Sequence, residues 1–182
     1  MTGTKAALLL LLFVAPATVM ATAQTQVFVP GNASGGFGNP ADQVNPFVPA
    51  ITMSGPGTIT VTYTRGQVNF GEGDVGPNGG PYNCTHCQLP LQEAHGVADG
   101  KVNNIGALIG VFVPQARAGH KGFNAVDGTK DVARIGIMPG WLFFIGEGTT
   151  VDVKETGTLF LGINDAGVSD NSGGFNVEVT AQ

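Results

Sequence analysis

Thr58-Ile59-Thr60-Val61-Thr62-Tyr63 places an apolar side chain at every second residue and a threonine between each pair. That is the period of a half-buried β-strand. Successive side chains leave a pleated chain on opposite faces, and β-branched residues suit the pleat. A helix would scatter the same residues around its circumference. Working outward from this stretch, Gln67 to Phe70 continues it beyond Arg65-Gly66, and Val27-Phe28-Val29 opens an earlier strand. Ala107 to Val113 is a continuous apolar run with a central Gly110, as in a core strand buried on both faces. Val132 to Met138, Trp141 to Ile145, Val151 to Val153, Leu159 to Ile163 and Phe175 to Val179 bring the expectation to about nine strands at turn-separated intervals. Between them lie Gly31 to Pro49, rich in Gly, Asn and Pro, and two polar stretches, Glu72 to Gly100 and Gln115 to Asp131. The first reads as an irregular excursion, and a loop as long as Glu72 to Gly100 is usually functional. No helical period persists over three turns. The expected class is all-β, an antiparallel sandwich or barrel in a single domain.

Composition agrees. Of 182 residues 29 are glycine, without a G-X-Y period, which excludes collagen and disfavours long helices. A hydrophobic share of 42% against 12% charged is too apolar for a disordered chain. The net charge of −5 leaves no electrostatic footprint for nucleic acid or an anionic membrane surface.

The N-terminal residues 1–23 read as a cleaved secretory signal. Lys5 precedes an apolar run from Ala6 to Val14, followed by Pro16 and the small-x-small site Ala21-Thr22-Ala23. The run is short for a membrane span, and no cysteine follows it for lipid attachment. The mature domain is expected at residues 24–182, secreted or periplasmic, with no membrane insertion. In an oxidising compartment Cys84 and Cys87, separated by Thr85-His86, read as a short-loop disulfide that pins a surface loop. Zinc would want a second ligand pair, haem attachment a histidine where Gln88 stands, and thioredoxin-like chemistry a βαβ unit.

One segment carries specific chemistry. Asn164, Asp165, Asp170 and Asn171 place four oxygen-bearing side chains within eight residues between two strands, and Ser169, Ser172 and loop carbonyls add more oxygens. Calcium takes six to eight hard oxygen ligands in flexible geometry, which such a loop can supply. No flanking helices or twelfth-position Glu make it an EF-hand. The same residues also suit a hairpin turn whose Asx side chains cap backbone N–H groups. Both readings stand on composition alone.

The run Leu159-Phe160-Leu161-Gly162-Ile163-Asn164-Asp165, continued by Asp170-Asn171-Ser172-Gly173-Gly174-Phe175-Asn176-Val177-Glu178-Val179, resembles the C-terminal signature of the PA-IL-like bacterial lectins. Gly76-Pro77-Asn78-Gly79, Gly106-Ala107-Leu108-Ile109 and Phe144-Ile145-Gly146 are similar to further blocks of that family, in the same order. The resemblance implies a galactose-binding-domain-like β-sandwich holding one Ca²⁺ between its final loop and the loop after an early strand, with vicinal sugar hydroxyls completing the coordination. By position it implies Asp165 as the anchoring carboxylate, Asp170 and Asn171 as the pair that touches both metal and sugar, and carbonyls at Ser169 and Phe70 as the remaining ligands. Asn83 and His86 fall near the residues that would reach an exocyclic hydroxyl. The chain departs from the galactose binders in its shorter Asp165–Asp170 spacing, in Asp170 for an Asn, and in Phe70 for a Tyr. The resemblance therefore speaks for metal chemistry more strongly than for galactose.

Elsewhere the residues read plainly. His86, His95 and His120 lie in polar stretches without matched partners, Asp127, Lys130 and Asp131 form a solvated turn, and Trp141 reads as core. Asn32-Ala33-Ser34 and Asn83-Cys84-Thr85 are formal glycosylation sequons. No nucleophile elbow, P-loop or zincin motif is present, so no catalytic residue is assigned and the protein is expected not to be an enzyme. The expected function is calcium-dependent carbohydrate binding. Homo-oligomerisation fits it, because weak single sites gain by multivalency. One rival is a secreted structural or matrix sandwich that binds no glycan. The other is an exported enzyme using the Glu72–Gly100 loop, which would need a pocket holding His86 with a carboxylate partner.

Overall fold

The threonine-alternating stretch forms the first half of a thirteen-residue strand, β3 (Gly57–Asn69), in a computed structural model that describes residues 22–33, 47–71, 73–80, 105–115, 142–165 and 167–182. Around it lie β1 (Ala23–Pro30), β2 (Val48–Met53), β4 (Asp74–Val75), β5 (Leu108–Pro114), β6 (Leu142–Phe144), β7 (Gly148–Val153), β8 (Gly157–Ile163) and β9 (Ser172–Ala181). The described residues contain no α-helix. Two antiparallel sheets pack face to face, so the molecule is an all-β sandwich. One sheet runs β1-β9-β3, with β7 pairing the first half of β3 and β4 its last two residues. The other runs β2-β8-β5-β6.

The period-two pattern decides which face is buried. Ile59, Val61 and Val68 of β3 point inward with Val27 and Val29 of β1 and Phe175, Val177, Val179 and Ala181 of β9. From the facing sheet come Leu159, Leu161 and Ile163 of β8, Leu108 of β5 and Met53 of β2. Each fully buried Val, Leu, Ile or Phe side chain among them contributes about 1.5–3 kcal/mol from water exclusion. Phe175 meets Tyr63 edge to face at a centroid distance of 5.9 Å. The apolar run of β5 is buried on both faces, from Leu108 through Val111. It lies between β8 and β6, where polar side chains would have had no outlet to water.

Two sequence expectations need correction and a third holds. The strand does continue past Arg65-Gly66. β3 runs through it with a bulge between Tyr63 and Arg65, where the Thr64 hydroxyl donates to the Asn176 carbonyl at 2.9 Å. The stretch Gly31 to Pro49 was expected to be irregular, but β2 begins inside it, at Val48. Pro49 is tolerated because β2 is an edge strand with a register shift between Pro49 and Ile51. The stretch beginning at Glu72 opens with a short strand, Asp74–Val75, instead of continuing as loop. The apolar part of the expected signal, the strand at Val132 to Met138, Trp141, the three histidines, and Asn83, Cys84 and Cys87 lie outside the described residues.

Candidate functional site: a polar cradle at one end of the sandwich

The connection from β8 to β9 carries the chain from one sheet to the other, and residues 164–171 form that arch. Register fixes what meets it. Asn69, the last residue of β3, pairs with Ser172, the first of β9, and Pro30 at the end of β1 pairs with Gly174. Leu108 at the start of β5 pairs with Ile163 at the end of β8. The ends of β1, β3 and β8 and the start of β5 therefore gather around one loop. Backbone bonds tie it down: Gly106 N to the Asn164 carbonyl at 3.0 Å, Asn164 N to Ala107 at 2.9 Å, and Ile163 N to Ala33 at 2.8 Å. The Gly76-Pro77-Asn78-Gly79 block is a turn closed by Gly79 N to the Gly76 carbonyl at 2.9 Å, with Pro77 at the position whose fixed φ suits it. The Pro77 carbonyl then accepts from Leu108 N at 2.9 Å, which fastens the turn to the start of β5.

Asn164 and Asp165 are the buried polar residues of the described chain, at 0% and 3% exposure. Asp165 Oδ1 accepts from the backbone N–H of Gly167 at 2.9 Å, the bond of an Asx turn. Its Oδ2 accepts from Asn171 Nδ2 at 3.0 Å, and the same Nδ2 donates to the Gly31 carbonyl at 2.8 Å. Two acceptors on the nitrogen fix which way the amide faces, since turning it over would set Oδ1 against a carbonyl and a carboxylate. Asn171 Oδ1 is consequently directed elsewhere. It is buried and makes no hydrogen bond. A buried acceptor left unmet costs about 1–3 kcal/mol, so this atom marks a place where a positive group would be welcome.

Asp170 is exposed and stands against Gly71, whose Cβ, if it had one, would lie 2.5 Å from Asp170 Oδ2. Gly71 has φ +87°, so glycine is needed there twice over: for the backbone and for the carboxylate's approach. Gly71 N is held by Asn69 Oδ1 at 2.9 Å, and Asn69 Nδ2 donates to Asp74 Oδ1 at 2.8 Å. Phe70 leaves the end of β3 half-buried, with its ring toward Gly80 and Gly106, where added Cβ atoms would meet it at 3.9 and 3.6 Å. Ser169 is exposed in the turn closed by Asn171 N to the Val168 carbonyl at 3.3 Å.

Of the residues singled out by sequence, Asp165 and Asn171 are in direct contact. Asp170 reaches across to the residue after Phe70, and Ser169 lies in the same turn. Asn83 and His86 lie outside the described residues. Among the described residues no three His, Cys, Asp or Glu side chains converge, so any cation here would depend on amide and carbonyl oxygens beside the carboxylates. Sequence reasoning missed Asn69, Asp74 and the Gly31 carbonyl. Asn69-Phe70-Gly71 carried the Asx-turn signal, whereas Gly31 carried none. Comparisons with known protein families and with curated proteins find no match.

Proposed function

We propose that this protein is a secreted, non-catalytic, calcium-dependent carbohydrate-binding module whose site is the cradle at the β8–β9 arch. The observation that carries the reading is Asn171 Oδ1: a buried amide oxygen, turned away from its own hydrogen bonds, beside the buried Asp165 carboxylate. Hard oxygens of mixed charge, brought from a loop and a strand end, are the donor set calcium selects. Asp165, Asp170, the Asn171 amide oxygen and carbonyls at Ser169 and Phe70 would hold the ion. When bound, it would supply open coordination positions for a pair of vicinal hydroxyls. The protein's own part is to hold the loop in place: the Asp165–Gly167 turn and the Asn171–Gly31 bond fix the cradle before any ligand arrives.

Thermal melting with calcium and with EDTA tests the metal, on wild type and on Asp165→Ala. An ion at a hundred times its dissociation constant stabilises by about 2.7 kcal/mol, a rise of several degrees for wild type and none for the variant. An identical melting temperature of the wild type with and without calcium would refute the reading. If the shift occurs, a glycan array with and without calcium tests the sugar. A calcium shift with no glycan bound leaves a structural sandwich with a metal staple.

A further inference from the structure

Phe28 is the exposed large hydrophobic side chain of the described residues, at 53%. It projects from the outer face of β1, alternating with the buried Val27 and Val29. Its ring leans along β9 onto Gly174, where an added Cβ would stand 2.7 Å from Phe28 Cζ. Gly174 is thereby buried although it sits on the outer face, and it has φ +155°. The ring thus has Cζ and Cε2 seated over bare backbone and about half of the residue's surface open to solvent.

Polar planar groups share its face of the sheet. Asn176 is directly opposite Phe28 in the register, and Arg65 of β3 lies beyond Asn176. Gln67 lies across Gly174. None of these three side chains makes a hydrogen bond to another described residue. On the other flank Gln26 Nε2 donates to Glu178 Oε2 at 2.9 Å, a fixed amide–carboxylate pair. An aromatic face with amides and a guanidinium at its rim suits a pyranose: the ring covers the sugar's C–H face while the rim groups exchange hydrogen bonds with its hydroxyls. The place matters too. From Asn176 to Ser172, at the cradle, is four residues of β9, roughly 13 Å, and the outer-face positions between are Gly174 and, across on β3, Gln67 and Asn69.

We propose that Phe28, with Asn176, Gln67 and Arg65, forms a second, metal-free carbohydrate subsite, so that the preferred ligand is an oligosaccharide running from the cradle along β9. This rests on the carbohydrate reading above but not on calcium. The test is a glycan array of mono- and oligosaccharides, in calcium and in EDTA, with wild type, Phe28→Ala and Phe28→Trp, followed by titration of the glycans that bind. Phe28→Ala is expected to weaken oligosaccharide binding roughly three- to tenfold, to leave monosaccharide binding and the calcium-dependent melting shift unchanged, and to be rescued by Phe28→Trp. Calcium-dependent binding with equal oligosaccharide affinity in Phe28→Ala overturns the subsite and spares the cradle. Phe28-dependent binding that persists in EDTA, with no calcium shift, supports the subsite and removes calcium. No glycan bound by wild type in either condition overturns both. If Phe28→Ala instead turns a sedimenting dimer into a monomer with glycan binding unaltered, the ring is an interface between copies and the subsite is wrong.

Discussion

The two ends of the sandwich handle polarity in opposite ways. At the end where β3 begins, the polar groups stay at the surface and pair across strands: Thr60 with Thr150 at 3.1 Å, Thr58 with Asp152 at 3.1 Å, and on the other sheet Thr52 with Thr158 at 3.0 Å. At the end where β3 stops, Asn164 and Asp165 are drawn inside, and Asn171 keeps a buried oxygen unmet. A sheet needs nothing more than the first arrangement, since surface hydroxyl ladders add a few tenths of a kcal/mol and cost no desolvation. The second is expensive to build: its hydrogen bonds do little more than offset the desolvation, although removing one partner would leave that cost uncompensated. That cost is the reason the β8–β9 arch is the end we propose for binding.

Substitutions can break or sharpen this contrast. The largest effect belongs to the core both ends share: Phe175→Ala should cost about 3–5 kcal/mol, measured by urea unfolding, and sets the scale. Next, Asp165→Ala removes the acceptor of two bonds inside the arch and should cost about 2–3 kcal/mol; a loss under half that would mean the cradle is not the polar linchpin of its end. Asn171→Asp surrenders the bonds to Gly31 and Asp165 and sets two carboxylates together. It should destabilise by about 2 kcal/mol in EDTA and recover most of that in millimolar calcium; destabilisation insensitive to calcium would make the cradle a purely internal staple. Smallest, Thr150→Val at the opposite end should change stability by no more than about 0.5 kcal/mol, with or without calcium. An effect there as large as that of Asp165→Ala would erase the distinction between the ends.

Much of this contrast is visible in the residues themselves, for a physical reason. Strands whose two faces meet different surroundings advertise it by alternation, as Thr58 to Tyr63 does, and strands buried on both faces advertise it by continuity, as Leu108 to Val113 does. β2 did neither. An edge strand with Pro49 and a register shift shows no clean period. Continuation of β3 past Arg65-Gly66 was legible, but the bulge between Tyr63 and Arg65 was not, because a bulge uses the same residues as a turn. In the site, the acidic loop was legible because its members are neighbours in the chain. Its completion by Gly31, which accepts from Asn171 across 140 residues of sequence, was not. The placing of Phe70 next to the loop came through the family resemblance, and the register of Asn69 with Ser172 puts it there. Asn69 and Asp74, which brace Gly71, were missed because each is an ordinary turn residue until its partner is known.

The pairing of β1 with β9 along eight residues has a consequence in time. The first described strand is held by the last, and Asn171 is fastened to the turn that follows that first strand. Contacts of such long sequence separation form late, because loop-closure entropy must be overcome before they gain anything. A nascent chain would carry every residue of the arch's partners yet have no cradle until β9 is made and docked. The cradle is thus a product of the finishing step of folding, and any binding proposed for it would be lost in a chain whose β9 is missing or undocked.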